Sequence, residues 1–534
     1  MSTTDNARVC VPVCVRRAID LAPAIKRAAQ VADVIELRLD CLDAAELDAA
    51  GPVVASELVA HVRPFILTFR PEEQGGRRSI EWDERIDFRV DAAWPRGSEC
   101  RYADLYDLEL DLVLHLQQRE REGRPVDDLW PSGWGRIICS HHDFTRTSID
   151  LEEIYARMAA TPARVLKIAV RAEDVTDCIA VFRLLERARR DGREMIAIAM
   201  GEAGIVTRVL GPSRGAFLTF GSLDEQQATA PGQVSAVELR SLYRIDSITA
   251  ETTITGLIGA PVAHSVSPHM HNAAFAARRM NSVYVPFEVR DAGEFIRRMV
   301  HPASREMAWN LRGLGVTAPH KTAIIAHLDR IDPVAEEIGA VNAIVVTDGV
   351  LHGSNTDAAA SLAPLEGVIE LRGSQVAVIG AGGASRAVLW RLREANARAT
   401  VFARNVERAS ATARNFGAEC ESLEGASFDG FDVVINTTPL GTRGRSEDET
   451  PAVTAQLRGA HVAYDLVYNP TVTRFMHEAH DAGCRIFGGL PMLVAQAAAQ
   501  FKLWTSHDAP LEVMHAAAQK RMLDVEKSLL TKAP

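Results

Sequence analysis

Val165-Leu166-Lys167-Ile168-Ala169-Val170 is an apolar run interrupted by a single lysine. Such a run, rich in β-branched residues, is typical of a strand buried on both faces. A lysine is almost never fully buried without a partner. Two interpretations stay open from this run alone. The amine of Lys167 either reaches water from a strand end or lies in an apolar setting, where its uncharged form would attack a ketone to give an imine.

Eight runs of this kind, each followed by a charged or amphipathic stretch, fill the first part of the chain. They are Val9–Val15, Val34–Asp40, Phe65–Arg70, Arg101–Leu110, Arg136–Ser140, Val165–Val170, Met195–Met200 and Ala216–Phe220. Alternation of strand and helix implies a parallel sheet, and eight such units favour an α/β fold of the closed (β/α)8 TIM barrel type. After a predicted closing helix at Val237–Ile245 the sequence becomes polar and threonine-rich, so we place a domain boundary near residue 248.

Composition excludes several classes of protein. The chain has 534 residues, enough for two to four domains, and its 47% apolar and 24% charged residues are ordinary for a globular protein. A net charge of −11 argues against nucleic-acid binding. The sequence contains no apolar run long enough to span a membrane and no secretory signal at its start, so we expect a cytoplasmic protein.

The cysteines indicate neither a metal site nor a disulfide framework. The eight cysteines are scattered without a Cys-x-x-Cys pair, and no second cluster accompanies Cys10 and Cys14. We therefore expect reduced, structural thiols and no bound metal.

Polar side chains are concentrated where the barrel strands end. Alternation places Glu36, Arg38 and Asp40 on one face of the second run. The other strand ends contribute Arg70, His141, His142, Asp143, Arg208, Thr229 and Gln233. Because barrel sites lie at the C-terminal ends of the strands, we expect these residues around Lys167. Arginines there would favour the uncharged amine and offer a fork for a substrate carboxylate.

Residues 8–245 resemble the type I 3-dehydroquinate dehydratases. The resemblance rests on Glu36-Leu-Arg38-Leu-Asp40, Thr68-Phe-Arg70, His142-Asp-Phe144, Lys167-Ile-Ala169 and Ala230-Pro-Gly-Gln233. It implies that Lys167 forms an imine with the C3 ketone of 3-dehydroquinate and that His142 moves the C2 proton. It also implies that Glu36, Arg38 and Arg70 hold ring substituents, that Arg208 binds the carboxylate, and that Thr229 and Gln233 lie on a closing loop.

This half departs from the family pattern at two positions. The family has Glu-Gly-Gly after the arginine, where Glu orients the catalytic histidine, and this chain has Gln74-Gly-Gly. A Gln can hold an imidazole by a hydrogen bond but cannot stabilise the imidazolium by its charge, a loss of about 1–2 kcal/mol. We expect a working but retuned pair. Thr229 replaces the usual Ser and keeps the hydroxyl.

The second half contains a strand that leads through a glycine-rich turn into a helix. In Gln375-Val-Ala-Val-Ile-Gly380-Ala-Gly382-Gly383-Ala384, the glycines would let the backbone approach a pyrophosphate at the helix N-terminus. A plain tight turn is the alternative. The next strand ends in Arg404, with Arg408 beyond it, where a cofactor with a bare ribose would favour an acidic residue. Arginine suits a 2′-phosphate, so we predict NADP rather than NAD.

Residues 253–530 are similar to shikimate dehydrogenases, in the same motif order. The motifs are Ser265-Val-Ser267-Pro268, Gly315-Val-Thr317-Ala-Pro-His-Lys321, Gly339-Ala-Val-Asn342, Asn355-Thr-Asp357, Asp465-Leu-Val-Tyr468 and Gly489-Leu-Pro-Met492-Leu-Val-Ala-Gln496. Taken without the resemblance, Ser265 is equally compatible with a simple N-cap. The resemblance implies that Lys321 and Asp357 are the catalytic pair. It further implies a substrate carboxylate on Ser265, Ser267 and Tyr468, ring hydroxyls on Thr317, Asn342 and Gln496, and the nicotinamide near Met492.

Two departures fall in this half as well. The family usually has Asn-Val-Thr where this chain has Gly315-Val-Thr317, and often a Gly where this chain has Ala358. Neither change removes a catalytic group. Because quinate dehydrogenases of this kind are usually altered at such positions, the resemblance also implies, through the retained serines and Thr317, shikimate over quinate as the ligand.

Together the resemblances imply a bifunctional enzyme of the shikimate route towards aromatic amino acids, with a lyase and an oxidoreductase activity. We expect a dehydratase barrel at 1–248 and a dehydrogenase at 249–534. The latter divides into a substrate lobe (249–357 with helices 489–534) and a Rossmann-like NADP lobe (358–488). Partners are small molecules, not nucleic acid or membrane; the oligomeric state stays open and no channelling is predicted. Two alternatives stay open: a shikimate or quinate dehydrogenase with an impaired barrel, and a non-catalytic metabolite-sensing regulator.

Overall fold

A computed structural model describes residues 7–60, 62–87, 103–124, 133–145, 150–224, 229–263, 265–444 and 446–530. Arg101, at the start of the predicted fourth run, lies outside this part of the chain. The chain divides into two compact units, the first comprising Met1–Thr252, Val285–Arg290 and Ser304–Asn310 and the second the remainder.

Eight parallel strands form the first unit. They are β1 (Val9–Val13), β2 (Val34–Arg38), β3 (Phe65–Thr68), β4 (Leu105–Glu109), β5 (Ile137–Asp143), β6 (Val165–Arg171), β7 (Glu194–Met200) and β8 (Thr219–Phe220). The sheet order is β7-β6-β5-β4-β3-β2-β1-β8, and a parallel bridge between Met195 and Ala216 joins its two edges. The eight predicted runs all form strands, and the predicted barrel is confirmed.

Helices follow the strands around this barrel. They are α1 (Leu21–Ala28), α2 (Leu47–Ala60), α3 (Trp82–Asp87), α4 (Leu110–Arg121), α5 (Leu151–Ala159), α6 (Cys178–Arg190), α7 (Ile205–Leu210) and α8 (Ala236–Ser241).

The barrel interior is built in layers because side chains alternate along each strand. The lower layer is apolar and takes one residue from each of six adjacent strands: Cys10, Val34, Ile66, Leu105, Ile138 and Val165. Two residues further along five of these strands the side chains are polar and buried: Glu36, Thr68, Asp107, Ser140 and Lys167. The strand period therefore stacks a polar layer directly on an apolar floor, at the C-terminal end of the barrel.

One prediction about the cysteines is wrong. Cys14, just after β1, and Cys41, just after β2, form a disulfide, whereas we expected reduced thiols throughout. The two residues are 27 apart in sequence, but β1 and β2 pair in parallel, so the ends of the two strands lie side by side. Five other described cysteines are free: Cys10, Cys139, Cys178, Cys420 and Cys484.

The chain from Thr253 onwards contains two six-stranded sheets. The first is mixed, with the order β10-β9-β11-β13-β14-β12. Its strands are β9 (Thr253–Gly259), β10 (Ser282–Glu288), β11 (Leu311–Val316), β12 (Arg330–Ile331), β13 (Ala343–Thr347) and β14 (Val350–Ser354). The helices between these strands and after them are α9 (Ser267–Ala277), α10 (Ala292–Phe295), α11 (Pro333–Ile338) and α12 (Asp357–Ala360).

The other sheet is parallel throughout, with the order β17-β16-β15-β18-β19-β20. Its strands are β15 (Gln375–Ile379), β16 (Arg398–Ala403), β17 (Glu419–Ser422), β18 (Val433–Asn436), β19 (Val462–Asp465) and β20 (Arg485–Phe487). The helices between these strands are α13 (Gly383–Glu394), α14 (Val406–Asn415), α15 (Thr454–Leu457) and α16 (Arg474–Asp481). After β20 come α17 (Leu490–Thr505) and α18 (Leu511–Leu530), which pack with α9 in the apolar core of the mixed sheet.

This strand order is that of a dinucleotide-binding Rossmann sheet, whose ligand site lies beyond the carboxyl end of the central strand. Both faces of β15 are buried in apolar clusters, Val376 and Val378 on one side and Ala377 and Ile379 on the other. The predicted α/β class with a Rossmann-like lobe is confirmed. Of the helices in the described ranges, none combines the length and apolar character needed to cross a membrane.

Candidate active sites

Lys167 lies inside the barrel, with only 5% of its surface exposed. Its amine donates to Asp107 Oδ2 at 2.6 Å and lies 3.5 Å from Glu36 Oε1. The ring of Phe220 covers it, with Nζ 4.4 Å from the ring centroid. The amine therefore does not reach solvent. Neither of the two open interpretations describes this site in full: the amine does not reach water, and two carboxylates, not apolar groups alone, face the nitrogen.

His142 lies on β5, and its ring is held by Arg70. Arg70 Nη1 is 2.9 Å from His142 Nδ1 and also contacts Nε2. Phe144 stacks on the imidazole with a centroid separation of 6.2 Å. Burial, and then the positive charges of Arg70 and Lys167, hold the pKa of His142 well below its usual range. The neutral imidazole that a general base requires is therefore the stable form.

Gln74 contacts the backbone of His142 and not its ring. Its Oε1 accepts a hydrogen bond from the His142 N–H at 3.1 Å. The loop that carries Gln74 is itself fixed from β2, since Arg38 donates to the Gly75 carbonyl at 3.3 Å and Asp40 accepts from the Arg77 N–H at 3.2 Å. We expected that Gln74 could hold the imidazole by a hydrogen bond. The structure instead places Arg70 beside the ring and Gln74 on the backbone.

The buried arginines of the barrel differ in their partners. Arg38 is paired with Asp40 at 2.7 Å and Arg70 with Asp107 at 2.8 Å. Arg208 is only 1% exposed, and among the described residues it donates only to the Phe220 carbonyl, at 3.2 Å, and pairs with no carboxylate. Burial lowers the pKa of Arg208 to about 10. A buried cation without a counter-ion suits an anionic ligand.

Thr229 and Gln233 belong to one compact loop. Gln233 Oε1 accepts from the Thr229 backbone N–H at 2.8 Å and from its hydroxyl at 3.3 Å. The loop packs tightly after β7, because the Gly201 N–H donates to Pro231 and a side chain at Gly232, where φ is +65°, would collide with the Gly201 carbonyl. Both residues are therefore presented near the end of β7.

Asp107 was missed in the sequence. It is 1% exposed, on β4, and touches both Lys167 and Arg70. Glu109, two residues on, is also buried and pairs with Arg85 at 2.9 Å. The signal was available, because Asp107 and Glu109 alternate along an apolar strand in the same way as Glu36 and Arg38.

A second site lies in the other unit, around Lys321 and Asp357. Lys321 Nζ is 2.5 Å from Asp357 Oδ2. The remaining Asp357 oxygen accepts from Asn342 Nδ2 at 2.8 Å, and Asn342 Oδ1 accepts from the Thr356 N–H at 2.7 Å. This network fixes the carboxylate on one side and leaves the lysine, whose side chain is 20% exposed, to turn towards a ligand. The lysine also lies beside the glycine-rich turn, since a Cβ on Gly383 would be 3.4 Å from Lys321 Cδ.

Hydroxyl groups gather at the start of α9. Ser265 Oγ accepts from the Ser267 N–H at 3.2 Å, which is the cap-like bond considered above. Tyr468 reaches the same hydroxyl, and its pKa is raised by burial, which the Ser265 hydrogen bond opposes. Thr317 follows β11, where its methyl group occupies the space that a Cβ on Gly259 would need. The structure therefore brings Ser265 and Tyr468 together, with Ser267 buried next to them.

The packing around residue 315 explains why it is a glycine in this chain. A Cβ there would lie 3.0 Å from the Tyr284 hydroxyl and 3.3 Å from Gln500 Oε1. Gln500 in turn donates to the Asn342 carbonyl at 2.9 Å, and burial raises the pKa of Tyr284. Neither of these two residues was identified in the sequence, and together they limit the space for a side chain at residue 315. Ala358 fits without difficulty, because it is buried in the first turn of α12 against Ile338 and Ala340.

The glycine-rich turn between β15 and α13 fits a dinucleotide phosphate. Gly380 has φ +112°, and a Cβ there would lie 2.7 Å from Thr437 Oγ1, so only glycine suits this position. A Cβ on Gly382 would meet nothing within 4 Å, and no side chain caps the N-terminus of α13, which starts at Gly383 and Ala384. Free amides and open space are what an anion at a helix N-terminus requires.

The other predicted cofactor residues lie around this turn and on α17. Arg404 and Arg408 are exposed beyond β16, where Asn405 caps α14 by accepting from the Arg408 N–H at 2.9 Å. Met492 is buried in the first turn of α17. Gln496, one turn later, is half-buried and donates to the Leu493 carbonyl at 2.9 Å.

Comparison with known proteins assigns both halves. Residues 9–250 match the type I 3-dehydroquinase family, 257–344 the shikimate dehydrogenase substrate binding domain and 489–519 the shikimate 5′-dehydrogenase C-terminal domain. The chain is 32% identical over 528 residues to the chloroplastic bifunctional 3-dehydroquinate dehydratase/shikimate dehydrogenase of Arabidopsis thaliana, covering 95% of this chain and 83% of that protein. The chain belongs to this bifunctional family. The family predicted from the motifs is therefore confirmed.

Relatives of the second half alone are also known. The shikimate dehydrogenase (NADP(+)) of Moorella thermoacetica is 41% identical over 294 residues, covering 52% of this chain and 95% of that protein. A crystal structure of the Thermus thermophilus shikimate 5-dehydrogenase with NADP(H) and shikimate covers 50% of this chain and 99% of that chain, at 36% identity and a TM-score of 0.46.

Proposed function

We propose that the two sites catalyse consecutive reactions. The barrel dehydrates 3-dehydroquinate to 3-dehydroshikimate through a Schiff base, and the second site reduces 3-dehydroshikimate to shikimate with NADPH. The observation that carries the proposal is the presence of a complete reactive pair in each unit. Lys167 and His142 share one barrel mouth with the unpaired cation of Arg208, and Lys321 and Asp357 lie beside a dinucleotide turn.

In the barrel, Lys167 Nζ attacks the C3 carbonyl, and loss of the carbonyl oxygen as water leaves a protonated imine. Neutral His142 removes a proton from C2, and the C–H electrons pass into the imine to give an enamine. The enamine expels the C1 hydroxyl, which takes the proton back from His142 and departs as water. Hydrolysis of the imine consumes one water and releases Lys167, so the net reaction is loss of one water.

Substrate binding is assigned to the remaining barrel residues. Arg208 would pair with the carboxylate, since its buried charge has no acidic partner within the described part of the chain. Glu36, Arg38 and Arg70 would hold ring substituents, with Thr229 and Gln233 on the closing loop.

In the second site, Lys321 would hold a proton against the carbonyl oxygen that becomes the new hydroxyl. Asp357 orients the amine, and Asn342 keeps the carboxylate in place. Ser265, Ser267 and Tyr468 would receive the substrate carboxylate, and Thr317 and Gln496 ring hydroxyls. This hydroxyl set favours shikimate over quinate as the ligand.

NADP would be held by Gly380, Gly382, Gly383 and Ala384 at its pyrophosphate and by Arg404 and Arg408 at its 2′-phosphate. When bound, NADPH supplies the hydride that reduces the ketone. Met492, buried at the start of α17, would limit water on the nicotinamide side.

We propose the division into a dehydratase at 1–248 and a dehydrogenase at 249–534, with lobes at 249–357 plus 489–534 and at 358–488. We also propose the cytoplasm as the compartment, since most of the described cysteines are free thiols and disulfides are rare there. The Cys14–Cys41 disulfide is the observation against it, and imaging of a tagged chain would decide.

A coupled assay tests the proposal. Given 3-dehydroquinate and NADPH, the full chain should show enone absorbance rising and then NADPH absorbance falling. Lys167→Ala should abolish the rise in enone absorbance and leave reduction of added 3-dehydroshikimate unchanged. Lys321→Ala should abolish NADPH consumption and leave the rise in enone absorbance unchanged. A chain that binds both metabolites but shows neither signal would be a regulator, and one that only reduces 3-dehydroshikimate would have an impaired barrel.

A further inference from the structure

Asp107 occupies the centre of the charge network in the barrel. Its Oδ2 atom is 2.6 Å from Lys167 Nζ and 2.8 Å from Arg70 Nη2. Its Oδ1 atom is buried and has no hydrogen-bond partner among the described residues. Burying a carboxylate costs folding free energy unless cations compensate its charge. At Asp107 the two cations that do so are Lys167 and Arg70.

The position of Asp107 follows from the strand register. It lies in the polar layer directly above Leu105 of the apolar floor, and β4 pairs with β5, the strand that carries His142. The charged and titratable groups that interact with Asp107 lie on or just after strands β1 to β6: Cys10, Glu36, Arg38, Arg70, Glu109, Cys139, His142 and Lys167.

The chemistry proposed for Lys167 keeps a positive charge on one nitrogen. The protonated form of a lysine amine is a cation, and the protonated imine that replaces the amine must stay cationic until the C2–H electrons neutralise it. A carboxylate at hydrogen-bond distance of that nitrogen stabilises both cations, and it does so in a buried site where charge interactions are strong. Glu36 is 3.5 Å from the same nitrogen, and its Oε1 also accepts from the Thr68 hydroxyl at 2.8 Å. Asp107 is therefore the nearer of the two carboxylates.

We propose that Asp107 is a catalytic residue of the barrel, the counter-ion that first holds the Lys167 ammonium and then the protonated imine. This inference rests on the proposed dehydratase function. It assigns the charge compensation of the reaction to β4 and not to the loop position of Gln74, which carries no charge in this chain.

The test is Asp107→Asn in the full chain, with Glu109→Gln as the matched control. Glu109 is an equally buried carboxylate on the same strand whose described ion pair is with Arg85. For Asp107→Asn we expect kcat of dehydration at pH 7.5 to fall at least 100-fold. The pH optimum should move about one unit lower, because losing a buried negative charge makes every neighbouring group bind protons less tightly. Glu109→Gln should leave the optimum in place.

Chemical rescue covers the case in which Asp107→Asn does not fold. In Asp107→Ala, added formate should restore dehydration at least tenfold, while formamide should not, and dehydrogenase activity reports an intact chain. An unmoved pH optimum with equal loss at every pH, wild-type turnover in the variant, or equal rescue by formamide would overturn the inference. Borohydride trapping distinguishes failure of the Asp107 proposal from failure of the proposed dehydratase function. If wild-type Lys167 is not labelled with 3-dehydroquinate, the dehydratase function itself is wrong.

Discussion

The side-chain oxygen of Gln74 accepts a hydrogen bond from the backbone N–H of His142 at 3.1 Å, while the His142 ring lies against Arg70. A neutral residue is sufficient for this contact, because the backbone donates and needs only an oxygen to receive it. A glutamine is therefore sufficient to hold this strand end, and it places no negative charge at residue 74.

Gln74→Glu should consequently retune the barrel. The pKa of His142 is held low by burial and by neighbouring cations, and a new carboxylate would raise it. Since the neutral ring is the base, the acid limb of the pH–activity profile of dehydration should move to higher pH. An interaction of about 1.4 kcal/mol between the new carboxylate and the protonated ring would move it by about one pH unit. Profiles of kcat/KM against pH measure this shift. An acid limb that stays in place would show that residue 74 does not influence the ring.

Arg208→Met should separate binding from stability. Removing a buried cation without a counter-ion relieves its desolvation, so the free energy of unfolding of the ligand-free chain should stay the same or rise. Dehydratase kcat/KM should fall about 100-fold, mainly through KM, because a charged hydrogen bond of about 3 kcal/mol to the carboxylate is lost. Urea unfolding measures the stability, and steady-state kinetics measure KM and kcat. A variant less stable than the wild type would contradict the stability prediction.

The Cys14–Cys41 disulfide should support the dehydratase specifically. Cys41 directly follows Asp40, which pairs with Arg38 and holds the Arg77 amide of the Gln74 loop. Cys14→Ser with Cys41→Ser should lower the free energy of unfolding of the barrel by about 3 kcal/mol and reduce dehydratase activity. Dehydrogenase activity serves as the internal control, and Cys178→Ser, a buried free thiol, as the matched variant. Equal stability of the oxidised and reduced wild-type chains would refute the effect.

Cofactor choice should depend on the exposed arginines after β16. Replacing Arg404 and Arg408 with Ala should raise KM for NADPH at least tenfold and leave KM for NADH unchanged, because only the former has a 2′-phosphate. Glu407→Gln, on the same turn, is the control. If both cofactors weaken equally, the arginines serve the fold of the turn and not the phosphate.

His271 should make the second unit sensitive to acid. It is fully buried against Tyr284, with ring centroids 4.4 Å apart, and burial lowers its pKa from 6.5 to about 3. Between these values the unfolded chain binds a proton that the folded chain does not, so stability is lost as pH falls below about 6.5. At pH 5 the loss is about 2 kcal/mol. His271→Phe should remove this part of the loss of stability between pH 7.5 and pH 5. Urea unfolding of both chains at the two pH values measures it.

The sequence by itself determined the architecture. Strand periodicity predicted the barrel, and the glycine turn predicted the Rossmann lobe, because both depend on local patterns of two or four residues. It also identified Lys167, His142, Lys321 and Asp357 as candidates, since short motifs keep such groups at fixed spacing.

What only the tertiary structure decided were the relationships between distant segments. The Asp107 carboxylate meets an amine 60 residues away, Cys14 meets Cys41, and Tyr284 and Gln500 fill the space at Gly315. These pairings depend on the order of strands in a sheet and on side-chain volume, neither of which leaves a local signal. Lys167 shows the same division. The strand pattern predicted that it lies on a buried strand but left open whether its amine reaches water, and only the packed barrel showed the two carboxylates that face the amine.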